Sequence, residues 1–131
     1  MLTKRYAFCF VFNKDGKVLV LKRADFMRKR PSEWDLPGGT VEPGESEAEG
    51  VVREVSEEAG IRISNPEMIL SKGGHWKGED HHFTYFRTDF DGSEIRLSEE
   101  HTDFEWHHPL VAAAMVAFTP HRLAFGSLPI K

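Results

Sequence analysis

The sequence predicts a mixed α/β domain in which one mixed β-sheet is covered by helices. Three observations carry this. Short apolar runs rich in aromatic and β-branched residues recur between turn signals, as strands do. One amphipathic segment has a start signal and a stop signal a helix length apart. A second apolar segment, near the C-terminus, begins with a proline suited to a first helical turn.

Taken in order, "RYAFCFVF" (5–12) is apolar on both alternating faces and reads as a buried strand. "NKDG" (13–16) is a turn, and "KVLVLKR" (17–23) returns as a second strand. "ADFMRKRPSEW" (24–34) is a basic loop, and "DLPGGTVEPGE" (35–45) a tight irregular one with room for a single short strand. Ser46 and Glu49 form a capping box. Ala48, Val51, Val52, Val55 and Ala59 then share one helical face, and Gly60 is the stop, which predicts a helix over 47–59. Strands follow at 67–76 and 81–90. Asp91 and Gly92 signal a hairpin into a strand at 93–97, and another strand covers 102–108. Pro109 opens a helix that runs through Phe118.

With 131 residues the chain makes one domain, 1–131, and has too little length for two. A net charge of −4 excludes a broad basic footprint for duplex DNA. A single cysteine, Cys9, excludes an internal disulfide and a cysteine-built zinc site. The N-terminal apolar run is too short to span a membrane, and the expected location is cytoplasmic. The apolar strand edges are compatible with a monomer or a homodimer.

Glu54, Glu57 and Glu58 are out of place by the usual rules. They occupy the last turns of the predicted helix, where the dipole already concentrates negative charge. At 100° per residue they fall within one arc of about 100°, bordering the apolar face. Two carboxylates about 4 Å apart repel by roughly 4 kcal/mol at an effective dielectric near 20. A divalent cation between them reverses that sign, and hard oxygen ligands suit Mg²⁺ or Mn²⁺. A solvated acidic face is the competing reading; the clustering of the acids next to the core argues against it.

The stretch "GTVEPGESEAEGVVREVSEEAGI" (39–61) resembles the signature of the Nudix hydrolases, of the MutT-like kind. Every defined position is filled, by Gly39, Glu45, Arg53, Glu54, Val55, Glu57, Glu58, Gly60 and Ile61. The resemblance implies an α/β/α sandwich with a mixed sheet between helices. It also implies Mg²⁺-assisted hydrolysis of a nucleoside diphosphate linked to another group. By matching position, Glu54, Glu57 and Glu58 are the implied metal ligands, joined by the Gly38 carbonyl. Arg53 and Glu45 form an orienting pair beneath the site. A further carboxylate comes from a later loop, where Glu100 is preferred to Glu99. Arg23 is the implied phosphate contact, and Gly38 and Gly39 let the backbone approach the metal.

The favoured substrate is a nucleoside triphosphate, cleaved to a nucleoside monophosphate and pyrophosphate. A nucleotide sugar, a capped RNA end, or non-catalytic nucleotide binding on the same fold are the alternatives. Similar proteins that clear oxidised guanine nucleotides use an asparagine near the C-terminus, where this chain reads "AFTPHRL" (117–123).

Overall fold

The computed structural model describes residues 3–129; residues 1–2 and 130–131, the ends of the expected domain, lie outside the described residues. The elements are β1 (Lys4–Phe12), β2 (Val18–Arg23), β3 (Trp34–Asp35), β4 (Gly38–Thr40), α1 (Glu47–Ala59), β5 (Glu67–Trp76), β6 (Glu79–Asp89), β7 (His101–His107), α2 (Pro109–Met115) and α3 (Thr119–Phe125). All seven strands belong to one mixed sheet. β1 is its axis. It runs parallel to β6 along its whole length, and on its other side pairs antiparallel with β4 and then β2. β2 also pairs with β7 and β3, and β5 is the edge strand beside β6.

The two apolar faces of β1 explain why helices cover both sides. Ala7, Cys9 and Val11 point into a core shared with Val51, Val55 and Ala59 of α1. Phe8 and Phe10 point the other way, into a core with Ala112, Val116 and Ala124 from the C-terminal helices. Cys9 is fully buried, and burial pushes its thiol far above the ordinary range, as fits an inert core residue.

α1 occupies the residues that its periodicity predicts. Its capping box is complete: Ser46 Oγ accepts from the Glu49 N–H at 3.1 Å, and Glu49 Oε1 accepts from the Ser46 N–H at 2.8 Å. Gly60 ends the helix in the left-handed conformation, φ 70°.

Three expectations need correction. The Asp91 carboxylate accepts from the Ser93 N–H at 2.9 Å, but no hairpin forms and residues 93–97 do not become a strand. Their backbone has another use: the N–H groups of Arg96 and Ser98 donate to the carbonyls of Ala59 and Glu58, at 2.8 and 3.0 Å. These are carbonyls the end of α1 would otherwise leave unpaired. The final helix stops at Met115, because Val116 is extended and bridges to Trp34 of β3. A further helix, α3, follows from Thr119, with proline in its first turn.

Replacing Ser46 with alanine removes one reciprocal cap and is expected to cost about 1 kcal/mol. That is a fall of roughly 3–5 °C in melting temperature, read by thermal unfolding monitored with circular dichroism.

Candidate active site: a carboxylate cluster beside an aromatic cleft

The β3–β4 segment and the last turns of α1 face each other. Gly38 has φ 144°, a conformation that side chains rarely adopt, and a Cβ there would strike the Ala7 carbonyl at 2.2 Å. Its N–H donates to Glu58 Oε1 at 2.9 Å. A Cβ on Gly39 would stand 2.7 Å from Glu54 Oε2. The two glycines therefore bring bare backbone against two of the three helix carboxylates.

Arg53 organises the rest. It grips Glu45 with two parallel bonds, Nε to Oε2 at 2.8 Å and Nη2 to Oε1 at 2.9 Å. Its Nη1 reaches Glu54 Oε1 at 3.0 Å and Glu57 Oε2 at 3.2 Å, and Nη2 also donates to the Thr40 carbonyl. These bonds hold Glu45 down at about 2 and raise the Arg53 pKa further. The repulsion that the sequence leaves unexplained is thus partly offset by one guanidinium.

Compensation is incomplete on the inner side. Burial raises Glu54 above its ordinary value against the pull of Arg53, and the charges of Glu57 and Glu100 add to the rise. Burial raises Glu58 well above the ordinary carboxylate range; the Gly38 N–H opposes this, while Glu54, Asp35 and Glu100 reinforce it. The Glu100 backbone carbonyl accepts from the Ala24 N–H at 2.8 Å, tying the β7 entrance to the loop after β2.

Among the described residues, no three His, Cys, Asp or Glu side chains already form a closed metal-binding array. Glu57 is turned to Arg53 and Glu58 to the Gly38 N–H. Glu54, Glu57, Glu58 and Glu100 carry the hard oxygen donors that suit a divalent cation, and bare glycine backbone faces Glu54 and Glu58.

A second polar centre adjoins the first. Asp35, almost fully buried, accepts from His121 Nε2 at 2.6 Å, from the Leu36 N–H at 2.9 Å and from Arg23 Nη1 at 3.3 Å; Arg30 Nη2 lies at 3.5 Å. Burial works to raise the Asp35 carboxyl, but His121 and the two arginines outweigh it and hold it below the usual range. Burial lowers the His121 pKa, against the pull of Asp35. A carboxylate only accepts, so Nε2 carries the proton and Nδ1 accepts from the Tyr85 hydroxyl at 2.8 Å. Asp35 and His121 are absent from the residues singled out as site candidates by sequence, where Arg30, with Arg28 and Lys29, reads as part of a solvated basic loop that could instead draw a polyphosphate tail. The only signal was an aspartate beside the glycine loop, in "WDLPGG".

Beyond Arg30 opens a cleft of about 630 Å³ between β5, β6 and α3. Its lining includes Trp76, His81, Phe83 and Phe118, together with Arg30 and Glu33. The 117–123 segment that lacks the asparagine supplies one wall of it. Arg23, the expected phosphate contact, faces inward to Asp35 and to the carbonyls of Lys29 and Arg30.

The NUDIX domain family model matches residues 2–124. The chain belongs to the Nudix family. A Nudix relative from Bacillus subtilis, a putative 8-oxo-dGTP diphosphatase, is 33% identical over 106 residues, covering 79% of this chain and 65% of that protein. The nucleoside triphosphatase NudI of Escherichia fergusonii is 31% identical over 126 residues, with 82% of this chain and 84% of that protein covered. Among solved structures, the MutT protein of Methanosarcina mazei Go1 superposes with a TM-score of 0.80 at 28% identity, covering 94% of this chain and 89% of that one. The chain spans only 60 to 65% of the length of the Bacillus and Streptomyces relatives that it matches. Among the described residues of this Nudix chain, no helix is long and apolar enough to cross a membrane.

The raised pKa of Glu58 makes a signed prediction for the metal-free protein. A carboxyl whose folded pKa exceeds its unfolded value stabilises fully below the unfolded value, near 4.5, and loses that contribution as pH rises through the folded one. Glu58→Gln is therefore expected to raise the melting temperature at pH 7 in a chelator, with the gain vanishing toward pH 4. A melting temperature that is lower at both pH values would contradict this.

Proposed function

We infer that this Nudix protein hydrolyses a nucleoside diphosphate-linked substrate, and that nucleoside triphosphates are its substrates, cleaved to a nucleoside monophosphate and pyrophosphate. The observation that carries this is the juxtaposition of a carboxylate cluster with an aromatic-lined cleft across the Asp35–Arg30 contact. The cleft lies within the ~300–1,000 Å³ range of small-ligand sites. Its aromatic rings suit a flat base, and Glu33, whose Oε1 has no partner, is an acceptor for a ring N–H. The names of the Bacillus and Escherichia relatives support a nucleotide substrate.

Glu54, Glu57, Glu58 and Glu100, with the Gly38 carbonyl, are the proposed ligands for Mg²⁺, with Mn²⁺ as a substitute. When bound there, such a cation neutralises phosphate charge and makes water a better nucleophile. The chain's own groups do the rest. Arg53 fixes the rotamers of Glu54 and Glu57, and Gly38 orients Glu58. A carboxylate of this group takes the proton from the attacking water as a phosphoanhydride bond breaks.

A panel of nucleotides with Mg²⁺ or Mn²⁺, scored for phosphate and pyrophosphate release, tests the assignment. Glu57→Gln and Glu58→Gln are each expected to lower kcat by about 10²-fold or more while the circular dichroism spectrum is retained. Undiminished turnover in both variants would reject the carboxylate assignment. Hydrolysis of nucleotide sugars without any triphosphate activity would reject the substrate.

A further inference from the structure

All three nitrogens of the Arg23 guanidinium are bonded within the fold. Nη1 donates to Asp35 Oδ2 at 3.3 Å, Nη2 to the Lys29 carbonyl at 3.0 Å, and Nε to the carbonyls of Lys29 and Arg30 at 3.2 Å each. What these bonds hold is a strained loop. Arg30 has φ 49° and Ser32 φ 61°, in the left-handed region that residues with side chains seldom occupy. Such strain persists only where the surroundings over-determine it, and it collects at ligand-binding positions. Here Arg23 clamps the loop from below, and the Ser32 N–H closes it onto the Ala24 carbonyl.

The result is a defined place for the Arg30 side chain. Its Cζ lies 4.3 Å from the centroid of the Phe118 ring, and Nη2 lies 3.5 Å from Asp35 Oδ2. Nη1 is shielded from water and has no hydrogen-bond partner. The side chain as a whole remains 27% exposed, on the wall of the cleft.

We propose that Arg30 is a substrate-binding residue that contacts the phosphate next to the sugar, and that Arg23, with Asp35, is the positioning pair that aims it. This rests on the nucleotide reading above and assigns its phosphate contact to the loop. Placement is the main argument. On one side of Arg30 lies the aromatic cleft. On the other lies Asp35, three residues before Gly38, whose N–H holds Glu58. A nucleotide with its base in the cleft and its outer phosphates at the carboxylates passes its first phosphate beside Arg30. A phosphate oxygen supplies the acceptor that Nη1 lacks, in a charge-assisted bond. Phe118 and Asp35 hold the guanidinium plane from its face and one edge, leaving the other edge for the ligand.

The test is calorimetric binding of the common ribo- and deoxyribonucleoside monophosphates, the matching nucleosides, and pyrophosphate with Mg²⁺. The proteins are the wild-type chain, Arg30→Met, Arg23→Met and the double variant, with Arg23→Lys replacing Arg23→Met if the latter does not unfold cooperatively. Arg30→Met is expected to weaken monophosphate binding roughly 10- to 100-fold and to leave nucleoside and pyrophosphate binding within about threefold. Arg23→Met is expected to give a similar loss alone and none beyond it in the Arg30→Met background, since a residue that acts through Arg30 then has nothing to aim. Arg30→Lys should recover part of the loss.

Three results overturn the proposal: unchanged monophosphate binding in Arg30→Met, an equal loss of nucleoside binding, or additive losses for the two arginines. A wild-type chain that neither binds nor hydrolyses nucleotides takes down the nucleotide reading and this proposal with it. Triphosphate turnover with an unchanged KM in Arg30→Met overturns this proposal alone.

Discussion

Repulsion among Glu54, Glu57 and Glu58, gathered at the negative end of α1, is the constraint that the surrounding structure is arranged to carry. Each neighbour answers part of it. Arg53 divides one guanidinium between Glu45, Glu54 and Glu57, so these three carboxylates are held in place. Gly38 gives Glu58 a backbone donor at a point where a Cβ would collide with β1. The 93–98 segment gives up a place in the sheet, and its N–H groups satisfy the last carbonyls of the helix. At the other end the capping box and two acids in the first turn favour the helix, so the cost is concentrated where the carboxylates converge.

The second polar centre has a different character. Asp35 gathers positive and neutral donors from β2, the 24–33 loop and α3, and nearly all of it is hidden from water. A buried carboxylate with this many donors stays ionised and fixes the elements that supply them. Because β3 runs directly into the glycine turn, the same few residues set the loop rim, the last helix and the backbone facing Glu58. Tyr85 and His121 extend the network to the cleft wall. The aromatic cleft and the carboxylate cluster are therefore anchored to one hub, although they lie on elements far apart in sequence.

Local patterns were legible in the chain wherever neighbouring residues decide the outcome. The capping box at Ser46, the apolar spacing through Ala59 and the stop at Gly60 define α1 with its bounds intact. The double-faced apolar run 5–12 is the central strand, and the nine signature positions name the carboxylate cluster. Legibility failed where distant partners decide. Residues 93–97 alternate like a strand, yet the open carbonyls at the end of α1 compete for their N–H groups and win. The helix after Pro109 breaks at Val116 because Trp34 offers a bridge there. Arg23 reads in sequence as a phosphate contact, and only the path of the following loop shows its bonds to Asp35 and to the Lys29 and Arg30 carbonyls.

The sequence alone determined the Nudix family, the sheet-and-helix class and the identity of the acidic cluster, because these follow from residue type at short spacing. The tertiary structure decided what the buried polar groups do. Asp35 and His121 are 86 positions apart and join at 2.6 Å, and no spacing rule links an aspartate in a glycine loop to a histidine in the last helix. Hydrogen bonding is short-ranged and directional, so a partner across that separation is set by how the sheet and α3 pack, and it becomes visible only in three dimensions.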